Sequence, residues 1–174
     1  MKLKKEIKIA LCSFIMIFLI GSKTNAQLVF RSISVVGTNW TPIIPTITEA
    51  GSDYVGTYTT PTDQIKLNVA VPLLSSSKIS VRYEANSIWD NSIKIQLNKL
   101  NNGIGLCVGC SITPSGETPF QEILQTDTEL FKIVALGSLL SVNNINLNLR
   151  LSGISVTVPV DNYSAKIVFT IGPL

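Results

Sequence analysis

Residues 144–171 read N-I-N-L-N-L-R-L-S-G-I-S-V-T-V-P-V-D-N-Y-S-A-K-I-V-F-T-I. In the first third, Ile145, Leu147, Leu149 and Leu151 alternate with Asn144, Asn146, Asn148 and Arg150. Wound into a helix, that pattern would scatter the leucines around the whole cylinder. Extended, it yields one apolar face and one polar face. Asparagine is also a poor helix-interior residue, because its side chain competes for backbone hydrogen bonds. Ile154, Val156, Val158 and Val160 continue the alternation, as do Tyr163, Ala165, Ile167, Phe169 and Ile171. The stretch is β-structure with one side buried.

Its connections can be tested by register. A two-residue turn at Ser152-Gly153 sets Leu151 against Ile154, Leu149 against Val156 and Leu147 against Val158, apolar facing apolar throughout. Pro159 has no N–H for a ladder, which argues against a long central strand around it. Residues 158–163, V-P-V-D-N-Y, read instead as a corner where the chain passes between sheets. They are similar to the tyrosine corner of immunoglobulin-like and fibronectin-like sandwiches, in which a tyrosine hydroxyl bonds back to nearby backbone. A plain hairpin at Asp161-Asn162 is the alternative.

Working outward, residues 27–36 read as a first strand and residues 54–59 as a short one. Residues 64–71 alternate clearly, with Ile65, Leu67, Val69 and Val71 on one face. Residues 78–84 place Ile79, Val81 and Tyr83 inward, and residues 93–97 repeat the pattern with Lys94, Gln96 and Asn98 outward. Residues 75–77, three serines, read as loop. Residues 117–125 form the one passable helical turn, with Phe120, Ile123 and Leu124 at near-helical spacing. Residues 128–134 complete the set. About eight or nine short strands with turn residues between them, and no long helix, define an all-β chain: a single antiparallel β-sandwich, immunoglobulin-like in the broad sense.

The chain of 174 residues opens with a basic end (Lys2, Lys4, Lys5, Lys8), an apolar run over residues 9–21 and small residues at Thr24-Asn25-Ala26. These are the three parts of a secretory signal peptide, residues 1–26, and the apolar run is shorter than the roughly 20 residues a membrane span needs. Residues 27–174 then form one sandwich domain. Five of the 14 basic residues and one of the 11 acidic ones lie within the signal, so the remainder keeps nine and ten, a net charge of about −1. No clustered Lys and Arg remain for a nucleic-acid footprint. The expected location is outside the cytoplasm: periplasm, cell surface or extracellular space, with no stable membrane span after processing.

The processed chain holds two cysteines, Cys107 and Cys110, spaced C-V-G-C. A redox dithiol needs a helix N-terminus at the first cysteine, and the following residues, with Pro114, Gly116 and Pro119, do not supply one. A zinc site would need further ligands, and the chain has no histidine. The expectation is a structural disulfide across a tight turn, worth only about 2 kcal/mol by loop entropy. Lack of histidine also removes Ser-His-Asp, Cys-His and HExxH chemistry. Paired carboxylates could still hydrolyse glycosides, and Glu84, Asp90, Asp127 and Glu129 are available, but none flanks a distinctive motif. No catalytic residue, metal or cofactor is implied, and the chain reads as a non-enzyme. Trp40, Tyr54 and Tyr58 are the candidate ligand-binding residues, able to stack on sugar rings as an alternative, carbohydrate-binding function; Trp89 reads as core.

The ending over residues 153–171, G-I-S-V-T-V-P-V-D-N-Y-S-A-K-I-V-F-T-I, resembles that of small exported Gram-negative β-sandwich proteins, pilin-like and spore-coat-U-like. The resemblance implies a structural, surface-assembly or adhesive role. Fimbrial subunits of this kind donate an N-terminal strand to a neighbour's open sheet. Residues 27–36 stand where such a donor would, although Arg31 interrupts their apolar series and the cysteines lie closer together than in a typical pilin. The partners implied are other exported proteins, or further copies, joined by strand addition; glycans are the alternative partner.

Overall fold

The computed structural model describes residues 31–105, 109–136 and 140–174. The segment read as a signal peptide and the first strand's opening residues 27–30 lie outside the described residues, as does Cys107, on which the disulfide expectation depends. The described chain is all-β, a sandwich of two antiparallel sheets. In order its strands are β1 (Ser32–Gly37), β2 (Thr57–Thr59), β3 (Ile65–Val71), β4 (Ser75–Ala85), β5 (Lys94–Lys99), β6 (Ser111–Thr113), β7 (Gln121–Glu122), β8 (Thr128–Ala135), β9 (Leu140–Ser152) and β10 (Ala165–Pro173). One sheet runs β1-β3-β9-β5-β7, with β2 also on β9; the other runs β10-β4-β8-β6.

The alternation read from the sequence sets the faces. On β9, Ile145, Leu147 and Leu149 are buried, and so are Ile65, Leu67, Val69 and Val71 on the neighbouring β3. Ile79, Val81, Phe131 and Ile133 close the core from the second sheet. Strand β9 is the spine of its sheet. On one side it carries β3 and then β2, whose Thr57 is aligned with Ser152; on the other it carries β5, with Lys94 also aligned with Ser152.

That double pairing overturns the hairpin expected at Ser152-Gly153. Both flanks of the end of β9 are occupied, so residues 154–160 have no strand to fold back on. Gly153 adopts a φ of 77° and lies so close to the Ser92 carbonyl that a side chain there would collide with it. The chain leaves the sheet at this point. Val156 and Val160 are exposed, at 58% and 104%, and pair with nothing regular. From β3 to β10 successive described strands lie in alternate sheets, and among the described residues no two strands consecutive in sequence are paired.

The corner reading of residues 158–163 holds. The Tyr163 hydroxyl donates to the Pro159 carbonyl at 2.6 Å, and the Asn86 side chain donates to the Asn162 carbonyl at 2.8 Å. Burial, and then the nearby Asp90 and Asp161, push the Tyr163 phenol above its ordinary value. Trp89 packs against the core between Tyr83, 5.7 Å between ring centres, and Tyr163, 6.4 Å edge-on. Tyr163→Phe keeps that ring and removes only the hydroxyl bond. It is expected to lower stability by about 1 kcal/mol, read as a shift in the urea midpoint.

Two local expectations are corrected. The helical turn at residues 117–125 is absent: Gln121–Glu122 pairs with β5 instead, and Ile123 is inward because its N–H bonds to the Ile95 carbonyl at 3.0 Å. The near-helical spacing of three apolar residues is too short a run to outweigh a free sheet edge. The serines 75–77, expected as loop, begin β4, and Ser77 is wholly buried, accepting a hydrogen bond from Arg31 at 2.8 Å.

Candidate functional site

Three regions could carry function: the loop joining β1 to β2, the exterior of the first sheet, and the sheet edges. In the loop, Trp40 and Tyr54 are half-buried and lie outside any strand. Tyr54 lines an open hollow of about 230 Å³, with Pro45, Ile47, Glu49 and Val55 around it. Asp53 fastens this loop to the corner before β10: its carboxylate accepts from the backbone N–H of Tyr54 at 2.7 Å and of Val156 at 3.2 Å. Those backbone bonds hold its carboxyl below the ordinary value.

Tyr58 does not join a stacking surface. It lies on β2 opposite Leu151, on the core side of the sheet, and its buried hydroxyl has no hydrogen-bond partner among the described residues. Ring contacts among the described residues join Trp89 to Tyr83 and Tyr163; none joins Trp40, Tyr54 and Tyr58. Alternation predicts the placement of Tyr58, since it shares a face with the inward Leu151.

The exterior of the first sheet holds residues that the sequence reading treated as a merely wet face. Asn98 on β5 and Asn148 on β9 are aligned across the strand pair, and only 3% and 9% of their surfaces are exposed. Asn146 and Arg150 flank Asn148 on the same face. The side-chain oxygens of Asn98, Asn146 and Asn148, and the Nε of Arg150, are buried with no partner among the described residues. Each such group costs about 1–3 kcal/mol when left dry. The Arg150 guanidinium stands 3.6 Å from the centre of the Phe120 ring, and no carboxylate among the described residues pairs with it.

Lys99 ends the same β5 strand facing inward, beyond Ile95 and Leu97, and is wholly buried. Its ammonium donates to the side-chain oxygen of Asn102 at 2.8 Å, to the Asn101 carbonyl at 3.4 Å and to the Gly116 carbonyl. Burial lowers its pKa, and no carboxylate among the described residues offsets that. Extending the alternation of residues 93–97 by one more inward step would have found it.

Of the four acids named for a hydrolase, Glu84 and Asp127 share the Arg82 guanidinium between them, and Glu129 and Asp90 each have a partner of their own. Arg82 holds Glu84 at 2.8 Å and Asp127 at 3.2 Å; Glu129 is 3.3 Å from Lys132, and Asp90 accepts from Ser92. No group of three or more Asp, Glu or Cys suited to a metal gathers among the described residues. Cys110 is half-buried against the core. No described helix is long and apolar enough to cross a membrane.

The last candidate is an edge. Strand β10 is bonded along all nine residues to β4 and is the outermost strand of its sheet among the described residues. The neighbouring edge of the other sheet is β1, which is antiparallel to β3, packs Ile33 on the core and approaches β10 without a ladder to it. Compared with family models, curated proteins and solved structures, the chain matches none.

Proposed function

We propose that this is an exported, non-enzymatic β-sandwich protein with a structural or adhesive role, and that it assembles by strand addition at β10. The observation that carries the reading is the one-sided pairing of β10 over Ala165–Pro173, a long edge with a single charged residue, Lys166, and a proline only at its last position, Pro173. Natural sandwiches usually blunt such edges with charges, prolines or bulges, because an unpaired row of N–H and C=O groups templates another strand. The signal-like beginning and the pilin-like ending support the same reading.

The partner is a second copy. An antiparallel β10–β10 pairing centred on Phe169 sets Val168 opposite the other copy's Thr170. It also sets Lys166 opposite Gly172, so no like charges meet. The two four-stranded sheets would become one. Light scattering on the processed protein, residues 27–174, should reveal a concentration-dependent dimer. Val168→Lys with Thr170→Lys places lysines directly opposite each other across that pairing and should return the monomer, with the β-type circular dichroism unchanged. A strict monomer at every concentration, or a dimer indifferent to the double variant, overturns the proposal.

A further inference from the structure

We infer that the exterior of the β5–β9 strand pair binds a neutral oligosaccharide, through Asn98, Asn146, Asn148 and Arg150. This surface is separate from both the β10 edge and the hollow beside Tyr54, and the inference does not rest on the strand-addition reading.

Residues on the outside of a sheet are normally solvated, and their polar atoms need no protein partner. Here Asn98 and Asn148 are more than nine-tenths buried on that side, yet their carbonyl oxygens are unmatched. With Asn146 they form a contiguous cluster, since Asn98 and Asn148 are aligned across the strands and Asn146 and Arg150 are each two residues from Asn148. The unmet groups are three acceptors and one donor.

That inventory selects the ligand. An anion brings only acceptors and would set its oxygens against three more. A metal cation would satisfy the oxygens but must sit beside the Arg150 guanidinium, which has no carboxylate partner among the described residues. A hydroxyl both donates and accepts, so a row of sugar hydroxyls meets all four atoms. The row from Asn146 to Arg150 spans four residue steps, about 13 Å at strand rise, which suits an oligosaccharide rather than a single sugar. Phe120, already beneath Arg150, supplies an apolar face for a pyranose ring. Phe120 and Arg150 are both half-buried side chains. The inference requires the Arg150 side chain to lift off the Phe120 ring, which frees that ring face for the sugar.

The test is an NMR titration of the processed protein with a panel of neutral gluco-, manno- and galacto-oligosaccharides. The side-chain amide signals of Asn98 and Asn148 should move with one of them. Asn148→Leu should then weaken that sugar about tenfold or more, the value of one lost hydrogen bond to a ligand. Because this substitution removes an unmatched buried acceptor, its melting temperature should be unchanged or higher, which separates lost binding from lost fold. Trp40→Ala, in the loop before β2, should bind as the parent does. The inference is overturned if no sugar in the panel moves those amides, if binding survives Asn148→Leu, if Trp40→Ala abolishes it, or if calcium chloride alone saturates the same signals.

Discussion

Lys99→Ala is expected to destabilise the sandwich by about 3–5 kcal/mol, because it removes a fully buried apolar stem and orphans the acceptors that the ammonium now satisfies. Lys99 belongs to the core by position: it is aligned with Leu147, directly after Ile95 and Leu97 on the inward face. Its ammonium gathers Asn101, Asn102 and Gly116, and so ties residues on either side of β6 to the end of β5. Lys99→Met keeps the stem and loses only the head group. Its cost should be smaller, about 1–3 kcal/mol from acceptors left dry. Urea denaturation of the three proteins measures both.

The same residue gives the fold a pH signature. Burial holds the Lys99 pKa below the ordinary value of 10.5. The folded protein therefore releases this proton at a lower pH than the unfolded chain does. Between those two values the unfolded chain binds more protons, so stability rises with pH across that window. The difference in urea midpoint between the parent and Lys99→Met should accordingly shift in the parent's favour from neutral to alkaline pH. A difference that is flat with pH would mean that Lys99 is charged as readily inside the fold as outside it.

Leu147→Ala carries the second large effect, about 3–5 kcal/mol by the cost of a core cavity. Leu147 is fully buried at the centre of β9, aligned with Ile65 on one side and Lys99 on the other. Val156→Ala and Val160→Ala should each stay within about 0.5 kcal/mol, since both side chains are exposed. The contrast is informative because the sequence pattern treats these residues alike. Thermal or urea unfolding of the three variants decides whether residues 154–160 are strand or corner. Comparable losses at Leu147 and Val156 would restore the hairpin at Ser152-Gly153.

The candidate sites were legible to different degrees. Alternation placed Asn146, Asn148 and Arg150 on one face, and Asn98 on the matching face of β5. It could not tell that Asn98 and Asn148 would be aligned and buried, because that depends on β5 pairing with β9 across some fifty residues of chain. For Trp40, Tyr54 and Tyr58 the sequence shows ring chemistry but not where the rings lie. Tyr58 turned inward once β2 attached to the end of β9, opposite Leu151.

What the sequence determined by itself was local: an extended backbone, which side of each strand is apolar, and the tyrosine corner, whose donor and acceptor lie four residues apart. These follow from a two-residue period and short-range sterics, which act wherever the chain goes. Tertiary structure alone decided the partners. Every apolar strand face fits many others about equally well, so a hairpin at Ser152-Gly153 satisfied the register test and still did not form. The flanks of β9 were taken by strands from far away in the chain, and residues 154–160 were left to cross to the other sheet.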